Sequence, residues 1–312
     1  MQGYDSLLAS VSRSFYLSIH FLPKCMRPAV SVAYLLARGT DSVADTSSEE
    51  ISTRIAVLEG MGRLVAGERE RVGSGDGVGG DECLRLLSNQ MSLGQAHLGE
   101  RALLARFGEC LSFAESLSER QLALVRKVLQ TIIEGQLWDL SYFISHDAVL
   151  TAGDTELYAY RVAGCVGEFW TEMSRMCLGE KFAILPASEM IPMGIHFGQG
   201  LQLVNILRDR EEDAQRGRCY LPRELPLEEW LLKARSWLNE GIRYASALRN
   251  RRLRFATLLP ARLGLLTLDL IEQDLKEDAS PMMGVKRKIG RPAVRREMLK
   301  ALWFAWRRPR VM

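Results

Sequence analysis

Apolar residues recur at helical spacing along almost the whole length of this chain. Apolar positions three or four residues apart form one face of an α-helix, whereas a half-buried strand needs strict alternation. Alternating runs of β-branched residues bounded by turn residues are nearly absent. The pattern therefore predicts an all-α protein. The predicted helices cover residues 3–18, 25–44, 48–71, 81–106, 118–145, 154–178, 188–214, 227–249, 251–275 and 291–306.

The composition provides enough apolar material for one large core. Of the 312 residues, 47% are hydrophobic and 25% are charged, which is ordinary globular usage. No long polar linker divides the chain, so we expect one domain over residues 1–312. The six cysteines lack metal-ligand spacing, and the sequence shows no signal peptide and no long apolar run. These features predict reduced structural thiols, a cytoplasmic protein and no membrane-spanning helix.

The C-terminal tail, residues 286–312, is basic while the rest of the chain is acidic. It holds ten Lys or Arg and one acidic residue, a net charge of +9 against −6 for the preceding residues. Trp303, Phe304 and Trp306 lie among its arginines, which suits peripheral association with the inner face of a membrane. A last helix docked on the core with a solvated end explains the same residues equally well. Nucleic-acid binding is not expected, because the rest of the chain is acidic.

Two segments far apart in sequence share one arrangement of polar side chains. The first aspartate segment is AYLLARGTDSVADT (residues 33–46), and the second aspartate segment is GLQLVNILRDREED (residues 200–213). Residues three or four apart share one face of a helix. The polar residues that share these faces are Tyr34, Arg38, Asp41 and Asp45 in the first segment, and Gln202, Asn205, Asp209 and Asp213 in the second. Each predicted helix thus has an apolar back and a row of oxygen ligands on its front.

Paired carboxylates of this kind favour a cation. Two carboxylates one helical turn apart lie about 5–6 Å from each other, and at an effective dielectric near 20 their repulsion is about 3 kcal/mol. Mg²⁺ prefers oxygen ligands and is commonly bound by one or two carboxylates together with substrate phosphates. A single DxxxD pair is more often a solvated acidic face. The second copy, with Arg38 and Arg208 beside the pairs, favours a magnesium cluster that holds a diphosphate.

Several strings resemble motifs of the squalene and phytoene synthase family, in the expected order. SRSFYLSIHFLP (residues 12–23) resembles the N-terminal motif, and DSVAD follows at the first aspartate segment. YAYRVAGCVGEFW (residues 158–170) resembles the central tyrosine and its glycine-containing helix, and NILRDREEDAQRGRCYLP (residues 205–222) resembles the second aspartate motif. ALRNRRLRFATLLPARLGLLTL (residues 247–268) and VKRKIGR (residues 285–291) resemble the squalene synthase branch more than the phytoene synthase branch. The short Trp/Arg tail resembles the bacterial members of that branch. The resemblance implies a single-domain isoprenoid (terpenoid) synthase, a bundle of helices around a deep apolar cavity.

The resemblance also implies roles for individual residues. Tyr158 matches the catalytic tyrosine, although from the residues alone it is a core tyrosine with a satisfied hydroxyl. Gly164 and Gly167 nearby would let a helix or a ligand approach closely. The implied metal ligands are Asp41, Asp45, Asn205, Asp209 and Asp213. The implied diphosphate contacts are Ser12, Arg13, Ser14, Tyr34, Arg38, Gln202, Arg208 and Arg218. The implied cofactor contacts are Asn205 for Mg²⁺, and Lys286 and Lys288 for NADPH.

The activity implied by the resemblance has two steps on farnesyl diphosphate. Two molecules condense head to head to presqualene diphosphate at Mg²⁺, and an NADPH-dependent rearrangement then yields squalene, a step in sterol or hopanoid biosynthesis. The enzyme is expected to act as a monomer, with an apolar cavity that keeps water from quenching the cations. One alternative is a synthase of the same fold that stops at presqualene diphosphate or gives dehydrosqualene, hydroxysqualene or phytoene. The other is a non-catalytic helical protein that binds ions or a partner through its acidic patches.

Overall fold

The structure, a computed structural model, is helical throughout the part of the chain it describes. The described residues are 2–12, 15–46, 48–68, 78–144, 150–222, 225–277 and 290–307. Within these ranges the only pairing of extended backbone is an isolated bridge between Ala183 and Leu248. The all-α prediction is confirmed. None of the helices in these ranges is long and apolar enough to cross a membrane.

The chain divides into two compact units. The N-terminal unit comprises Met1–His20 and Lys24–His146, and the C-terminal unit comprises Phe21–Pro23 and Asp147–Met312. The single domain expected from the sequence stays a prediction.

In the N-terminal unit, α3 is the helix with the largest number of packing partners. The helices of this unit are α1 (Gln2–Ser12), α2 (Phe15–His20), α3 (Arg27–Ala44), α4 (Ile51–Ala66), α5 (Gly80–Leu86), α6 (Leu98–Ala105), α7 (Phe107–Glu115) and α8 (Glu119–Tyr142). Pro28 in the first turn of α3 suits a helix start, where the amide it lacks would have no partner. The helix packs against α4, α6, α7 and α8. Phe107 of α7 lies so close that a Cβ at Gly39 would come within 2.9 Å of its ring. The packing therefore fixes α3, which carries the first aspartate segment.

Two sequence predictions in this unit are wrong. Residues 81–106 do not form one helix, because α5 passes into a π-helical turn at Leu87–Met91 and α6 begins only at Leu98. Gly94 lies in the break, where a Cβ would come within 2.8 Å of the Ser48 hydroxyl. Helix α7 was missed altogether. Its signal is present, since Phe107, Cys110, Leu111 and Ala114 are buried at helical spacing.

In the C-terminal unit, α11 is central. The helices here are α9 (Ala152–Ala159), α10 (Cys165–Leu178), α11 (Ala187–Gln215), α12 (Leu227–Ala247), α13 (Arg251–Glu277) and α14 (Arg291–Ala305). Helix α11 packs against α9, α10, α12 and α13, and α14 packs against α13. A π-helical turn, Tyr160–Gly164, joins α9 to α10 within the predicted helix 154–178. The second aspartate segment therefore lies on the helix against which α9, α10, α12 and α13 pack.

Glycines allow α10 and α11 to touch backbone to backbone. A Cβ at Gly167 would lie 1.8 Å from the carbonyl oxygen of Gly194, and a Cβ at Gly198 would lie 2.2 Å from that of Ala163. No side chain fits at such distances. The close approach expected at Gly167 is confirmed, and the neighbour is helix α11.

Candidate active site

The first aspartate segment lies at the C-terminal end of α3. Asp41 keeps 44% of its side-chain area accessible and Asp45 is exposed, whereas Val43 and Ala44 between them are buried. The amide of Asp45 donates to the carbonyl oxygen of Asp41 at 2.9 Å, so the turn that joins them is helical. The two carboxylates therefore share one face, as their spacing predicts.

Arg38 holds two acidic side chains of this unit together. Its Nη1 donates to Oδ2 of Asp41, and its Nη2 donates to Oε1 of Glu100 at 2.5 Å. Glu100 belongs to the first turn of α6. Burial alone would lower the pKa of Arg38, but Asp41 and Glu100 outweigh it and raise that pKa. Sequence reasoning missed Glu100, because nothing in its local pattern indicates that α6 brings it to Arg38.

The surroundings of Asp41 disfavour its charged form. Burial by the surrounding protein, followed by the negative charge of Asp45, raises the pKa of Asp41 to about 6, although Arg38 works in the opposite direction. Glu100 raises it further. A carboxylate that is accessible, surrounded by protein and close to two other acids gains from a cation as an additional partner.

Ser12 and Tyr34 use their hydroxyl protons within the unit. Ser12 is buried and donates to the carbonyl oxygen of Leu8 at 2.5 Å, and Tyr34 donates to that of Val11 at 3.4 Å. A diphosphate oxygen needs a donor, so either hydroxyl would have to exchange its present acceptor to bind one. Their predicted diphosphate contacts stay predictions. The predicted contacts of Arg13 and Ser14 lie outside the described residues.

The second aspartate segment has the predicted two-faced arrangement on α11. Asn205 is exposed, and the side chains of Gln202, Asp209 and Asp213 are half-buried. The apolar residues between them are buried, namely Leu203, Val204, Ile206 and Leu207. Oxygen-bearing side chains thus line one side of the helix while its back packs into the unit.

Arg208 pairs with the first aspartate of this segment. Its Nε donates to Oδ1 of Asp209 at 3.1 Å and its Nη2 donates to Oδ2 at 2.6 Å, a forked pairing. These hydrogen bonds raise the pKa of Arg208 against the opposing effect of burial, and Asp213 adds to the rise. The arrangement resembles that of Arg38 with Asp41, although the arginine stands one residue before its aspartate here and three residues before it there.

The chain leaves α11 by a turn that keeps Arg218 close to the aspartates. Gly217 adopts a left-handed conformation with φ of +77°, which favours glycine. The amide of Arg218 then donates to the backbone carbonyl of Asp213 at 2.8 Å. This turn ties the backbone of Arg218 to the second aspartate segment.

Tyr158 lies on α9 and contacts the segment that follows this turn. Its ring stacks on that of Tyr220, with centroids 4.9 Å apart and planes 13° from parallel. Thr155, one turn earlier, donates to the carbonyl oxygen of Tyr220 at 2.6 Å. A capping box between Thr151 and Asp154 fixes the start of α9. The structure thus places Tyr158 against the residues that follow the second aspartate segment. No local sequence pattern predicts this contact.

A second tyrosine on the same stretch differs in its hydrogen bonding. Tyr160 donates to Oε2 of Glu168 at 2.8 Å across the π-helical turn. Burial and this hydrogen bond raise the pKa of Tyr160 to about 12. Such turns insert an extra residue into a helix and are frequent at functional sites. The turn shifts the helical register between α9 and α10, so the predicted helix 154–178 is not one uninterrupted α-helix.

The donor sets suit magnesium held jointly with a ligand. Among the described residues, no three His, Cys, Asp or Glu side chains form a ready metal site. Mg²⁺ commonly needs only one or two carboxylates, completing its six positions with waters and phosphate oxygens. Asp41 with Asp45, and Asp209 with Asp213, offer such pairs. Lys286 and Lys288, the predicted NADPH contacts, lie outside the described residues.

The structure thus assembles the predicted residues into two groups. In the N-terminal unit Arg38, Asp41 and Asp45 are joined by Glu100, which the sequence did not reveal. In the C-terminal unit the group contains Arg208, Asp209, Asp213, Arg218 and Tyr158, joined by Tyr220. That the two groups together hold one magnesium cluster stays a prediction.

Comparison with known proteins gives the chain a clear set of relatives. A model of the squalene/phytoene synthase family matches residues 8–230. Presqualene diphosphate synthase of Rhodopseudomonas palustris is 30% identical over 219 residues, which cover 69% of this chain and 60% of that protein. The 15-cis-phytoene synthase of Synechococcus elongatus is 28% identical over 233 residues, covering 70% and 59%. The match therefore spans about 60% of the length of these curated relatives.

A solved structure shares the fold. TcSQS, solved in complex with a ligand, superposes with a TM-score of 0.70 at 23% identity, covering 97% of this chain and 88% of that chain. The likeness extends over nearly all of the sequence, including the segments beyond residue 230.

Proposed function

The chain belongs to the squalene/phytoene synthase family, and from this premise we propose that it joins two molecules of farnesyl diphosphate head to head to form presqualene diphosphate. We further propose that an NADPH-dependent rearrangement converts this intermediate to squalene. One observation carries the proposal: in each aspartate segment an arginine pairs with the first aspartate, Arg38 with Asp41 and Arg208 with Asp209.

Such a pair suits the binding of an anionic diphosphate together with a cation. A guanidinium group makes the same forked hydrogen bonds to a carboxylate and to a phosphate. The arginine can therefore pass from the aspartate to a diphosphate oxygen while the aspartate takes a cation, so every anion keeps a positive partner. Mg²⁺, when bound, would act as a Lewis acid that stabilises the charge developing on the leaving diphosphate.

The proposed roles follow the chemistry of ionisation and capture. The C–O bond of one farnesyl diphosphate breaks to give an allylic cation and diphosphate, and the double bond of the second molecule then attacks the cation. Loss of a proton closes the cyclopropane of presqualene diphosphate, and Tyr158 or the released diphosphate accepts that proton. The proposed metal ligands are Asp41, Asp45, Asn205, Asp209 and Asp213, assisted by Gln202. The proposed diphosphate contacts are Ser12, Arg13, Ser14, Tyr34, Arg38, Gln202, Arg208 and Arg218.

The finer parts of the proposal rest on the sequence. The use of NADPH rests on the resemblance of residues 285–291, which contain Lys286 and Lys288. A deep apolar cavity is proposed because water would quench the carbocations. A monomeric, cytoplasmic enzyme with peripheral contact to a membrane completes the proposal.

A second candidate is an enzyme of the same family that stops at presqualene diphosphate. The relative from Rhodopseudomonas palustris is named presqualene diphosphate synthase, which favours this alternative. Both candidates use the same aspartates and the same first condensation. They differ only in the fate of the intermediate.

Product analysis with farnesyl diphosphate and Mg²⁺, with and without NADPH, tests the proposal. Squalene formed only with NADPH, and presqualene diphosphate formed without it, would support the two-step reaction. Presqualene diphosphate under both conditions would support the second candidate. Absence of magnesium-dependent pyrophosphate release would refute both, and would favour a non-catalytic helical protein.

A further inference from the structure

The last helix, α14, has two unlike faces. One face packs into the core, where Ala301 and Ala305 are buried against Ala245, Leu258 and Leu259. The core-docked helix expected as one alternative from the sequence is therefore present. The opposite face nevertheless carries three large apolar side chains, and Leu299, Trp303 and Trp306 are 64%, 64% and 66% exposed.

These three side chains form a strip bordered by arginines. At 3.6 residues per turn, they fall within an arc of about 60° around the helix. Exposed arginines flank the strip on both sides, Arg291 and Arg295 on one side and Arg296 and Arg307 on the other. We name this set of seven exposed residues the outer face of α14. It is apolar along its middle and cationic along its edges.

Buried polar contacts fix the orientation of the outer face. Arg254, only 1% exposed, donates to the carbonyl oxygen of Ala305 at 3.2 Å, to that of Arg307 and to that of Leu248 at 3.0 Å. A cation at the C-terminal end of a helix also suits its dipole. These hydrogen bonds hold the C-terminal end of α14 on the core. The exposed Trp303 and Trp306 therefore belong to a helix end that is fixed in place.

The single acidic residue of α14 does not weaken the positive charge of the outer face. Glu297 is 5% exposed and accepts hydrogen bonds from Arg262 at 2.7 Å and from Lys300 at 2.9 Å. Arg262 and Lys300 thus match its charge, and Arg296 is the one arginine of the outer face that lies within 4 Å of it, at 3.7 Å, so the outer face stays positively charged.

Each of the two tryptophans of the outer face has a guanidinium group over its ring. Arg307 stands over the ring of Trp303 at 4.3 Å, and Arg251 stands over the ring of Trp306 at 4.8 Å. A tryptophan ring is apolar with one polar N–H, and its usual place in membrane proteins is the boundary between headgroups and acyl chains. An arginine beside it can reach a lipid phosphate while the ring enters the apolar layer.

We propose that the outer face of α14 docks on an anionic membrane surface. An exposed apolar strip with cationic edges is the pattern of a helix that lies in the plane of a membrane interface. A nucleic acid is a poorer match, because residues 1–285 carry a net charge of −6 that would repel an extended polyanion. A membrane surface, in contrast to an extended polyanion, would need to contact only the outer face of α14. The proposal does not depend on the proposed enzymatic activity.

Vesicle flotation with the full-length protein tests the proposal. We expect the protein to float with vesicles of phosphatidylcholine and phosphatidylglycerol, to bind pure phosphatidylcholine vesicles far more weakly, and to dissociate as salt is raised. Brominated lipids should quench part of its tryptophan fluorescence. Failure to bind anionic vesicles at low salt would overturn the proposal.

Variants of the outer face should weaken binding while the fold stays intact. Trp303→Ser with Trp306→Ser should lower the vesicle partition coefficient about tenfold or more and abolish the bromine quenching. Arg291→Gln with Arg295→Gln should lower it roughly 30-fold at low salt, since each arginine near the surface contributes about fivefold. Circular dichroism should show unchanged helix content in all variants.

A matched pair of variants distinguishes binding through the outer face of α14 from nonspecific adsorption through any exposed apolar side chain. Leu299→Ser on α14 removes an apolar side chain that is 64% exposed, and Leu232→Ser on α12 removes one that is 66% exposed. Only the first should weaken binding. Equal effects of the two changes would overturn the assignment. So would a stable dimer in solution that the two tryptophan changes abolish, because it would show that a second copy occupies the face.

Discussion

At the scale of single residues, the group formed by Arg38, Asp41 and Glu100 shows how a fold can hold a carboxylate ready for a cation. One guanidinium faces two carboxylates, and Asp45 adds a third negative charge nearby. The negative charge exceeds the positive, and the pKa of Asp41 rises to about 6 in consequence of its burial and these neighbours. Because folding disfavours the charged form of Asp41, ionised Asp41 lowers the stability of the protein. We therefore expect this carboxylate to serve binding and not stability.

The first prediction is that Asp41→Asn removes activity without lowering stability. The folded-state pKa of Asp41, about 6, lies above its ordinary value of 3.8, so the folded protein binds this proton more tightly than the unfolded chain. The neutral form is therefore favoured by folding, and a neutral amide at pH 7.5 should leave the melting temperature equal or higher. Pyrophosphate release should fall by more than the roughly 10–100-fold that loss of a metal's outer-shell partner costs. Normal turnover in this variant would remove Asp41 from the metal site.

The second prediction concerns Glu100 and the pH dependence of activity. The negative charge of Glu100 raises the pKa of Asp41, so Glu100→Gln should lower that pKa. The free enzyme needs Asp41 ionised to take a cation, and the acidic limb of kcat/KM should therefore move to lower pH. The measurement is the pH profile of kcat/KM for pyrophosphate release at a fixed, subsaturating Mg²⁺ concentration.

A matched control is available for that change. Glu109 is also paired with an arginine, Arg106, but does not contribute to the pKa of Asp41. Glu109→Gln should leave the acidic limb where it is. A limb that stays in place or moves to higher pH in Glu100→Gln would contradict the electrostatic coupling.

At the scale of elements, helical spacing in the sequence was sufficient to predict most of the helices. The predicted helices 25–44, 188–214 and 251–275 correspond closely to α3, α11 and α13. The error at residues 81–106 arose where the chain bends. Gly94 lies in the break that separates α5 from α6, and a helical window that averages over a single glycine does not register such a break.

The site was predictable to the extent that its residues share a helix. Asp41 with Asp45, and Asp209 with Asp213, follow from a spacing of four residues. Contacts between distant segments do not follow from spacing, because they depend on which helices pack together. Tyr220 against Tyr158 is such a contact, as is Glu100 against Arg38. The π-helical turn at 160–164 was likewise invisible to helical spacing.

The third prediction tests the contact between α10 and α11. A Cβ at Gly167 would lie 1.8 Å from the carbonyl oxygen of Gly194, and backbone cannot yield as a flexible side chain does. Gly167→Ala should therefore lower the free energy of unfolding by about 1–3 kcal/mol or more. It should also reduce activity, because α11 carries the second aspartate segment and α10 continues from α9, which carries Tyr158. Urea denaturation followed by circular dichroism gives the first quantity.

A second glycine provides a control, because its replacement should raise the free energy of unfolding instead of lowering it. Gly62 lies inside α4, and the nearest atom to an added Cβ there is 3.8 Å away, an ordinary contact with Ile133. Gly62→Ala should raise the free energy of unfolding by about 0.5–1 kcal/mol through helix propensity. Equal stability of the Gly167→Ala protein and the wild type would show that α10 and α11 can move apart at little cost.

At the scale of the whole molecule, the question is whether the two compact units fold as one domain, as the sequence predicts. The cysteine thiols can answer it, since none of the six, all of which lie within the described residues, forms a disulfide. Cys83 and Cys110 are buried in the N-terminal unit, and Cys165 is buried in the C-terminal unit. Burial raises the pKa values of Cys83 and Cys110 to about 12, so few of these thiols ionise at neutral pH while the unit is folded.

The fourth prediction is that these thiols become reactive at one urea concentration. A brief pulse of a thiol reagent at increasing urea, read by mass spectrometry of the cysteine peptides, gives an unfolding midpoint for each buried site. One domain requires that Cys83, Cys110 and Cys165 share a midpoint, because cooperative unfolding exposes all parts together. The exposed Cys25 and Cys219 should react at every concentration and so calibrate the pulse. A lower midpoint for Cys165 than for the other two, or the reverse, would show that each unit unfolds independently, and the chain would then be two domains that each carry one aspartate segment.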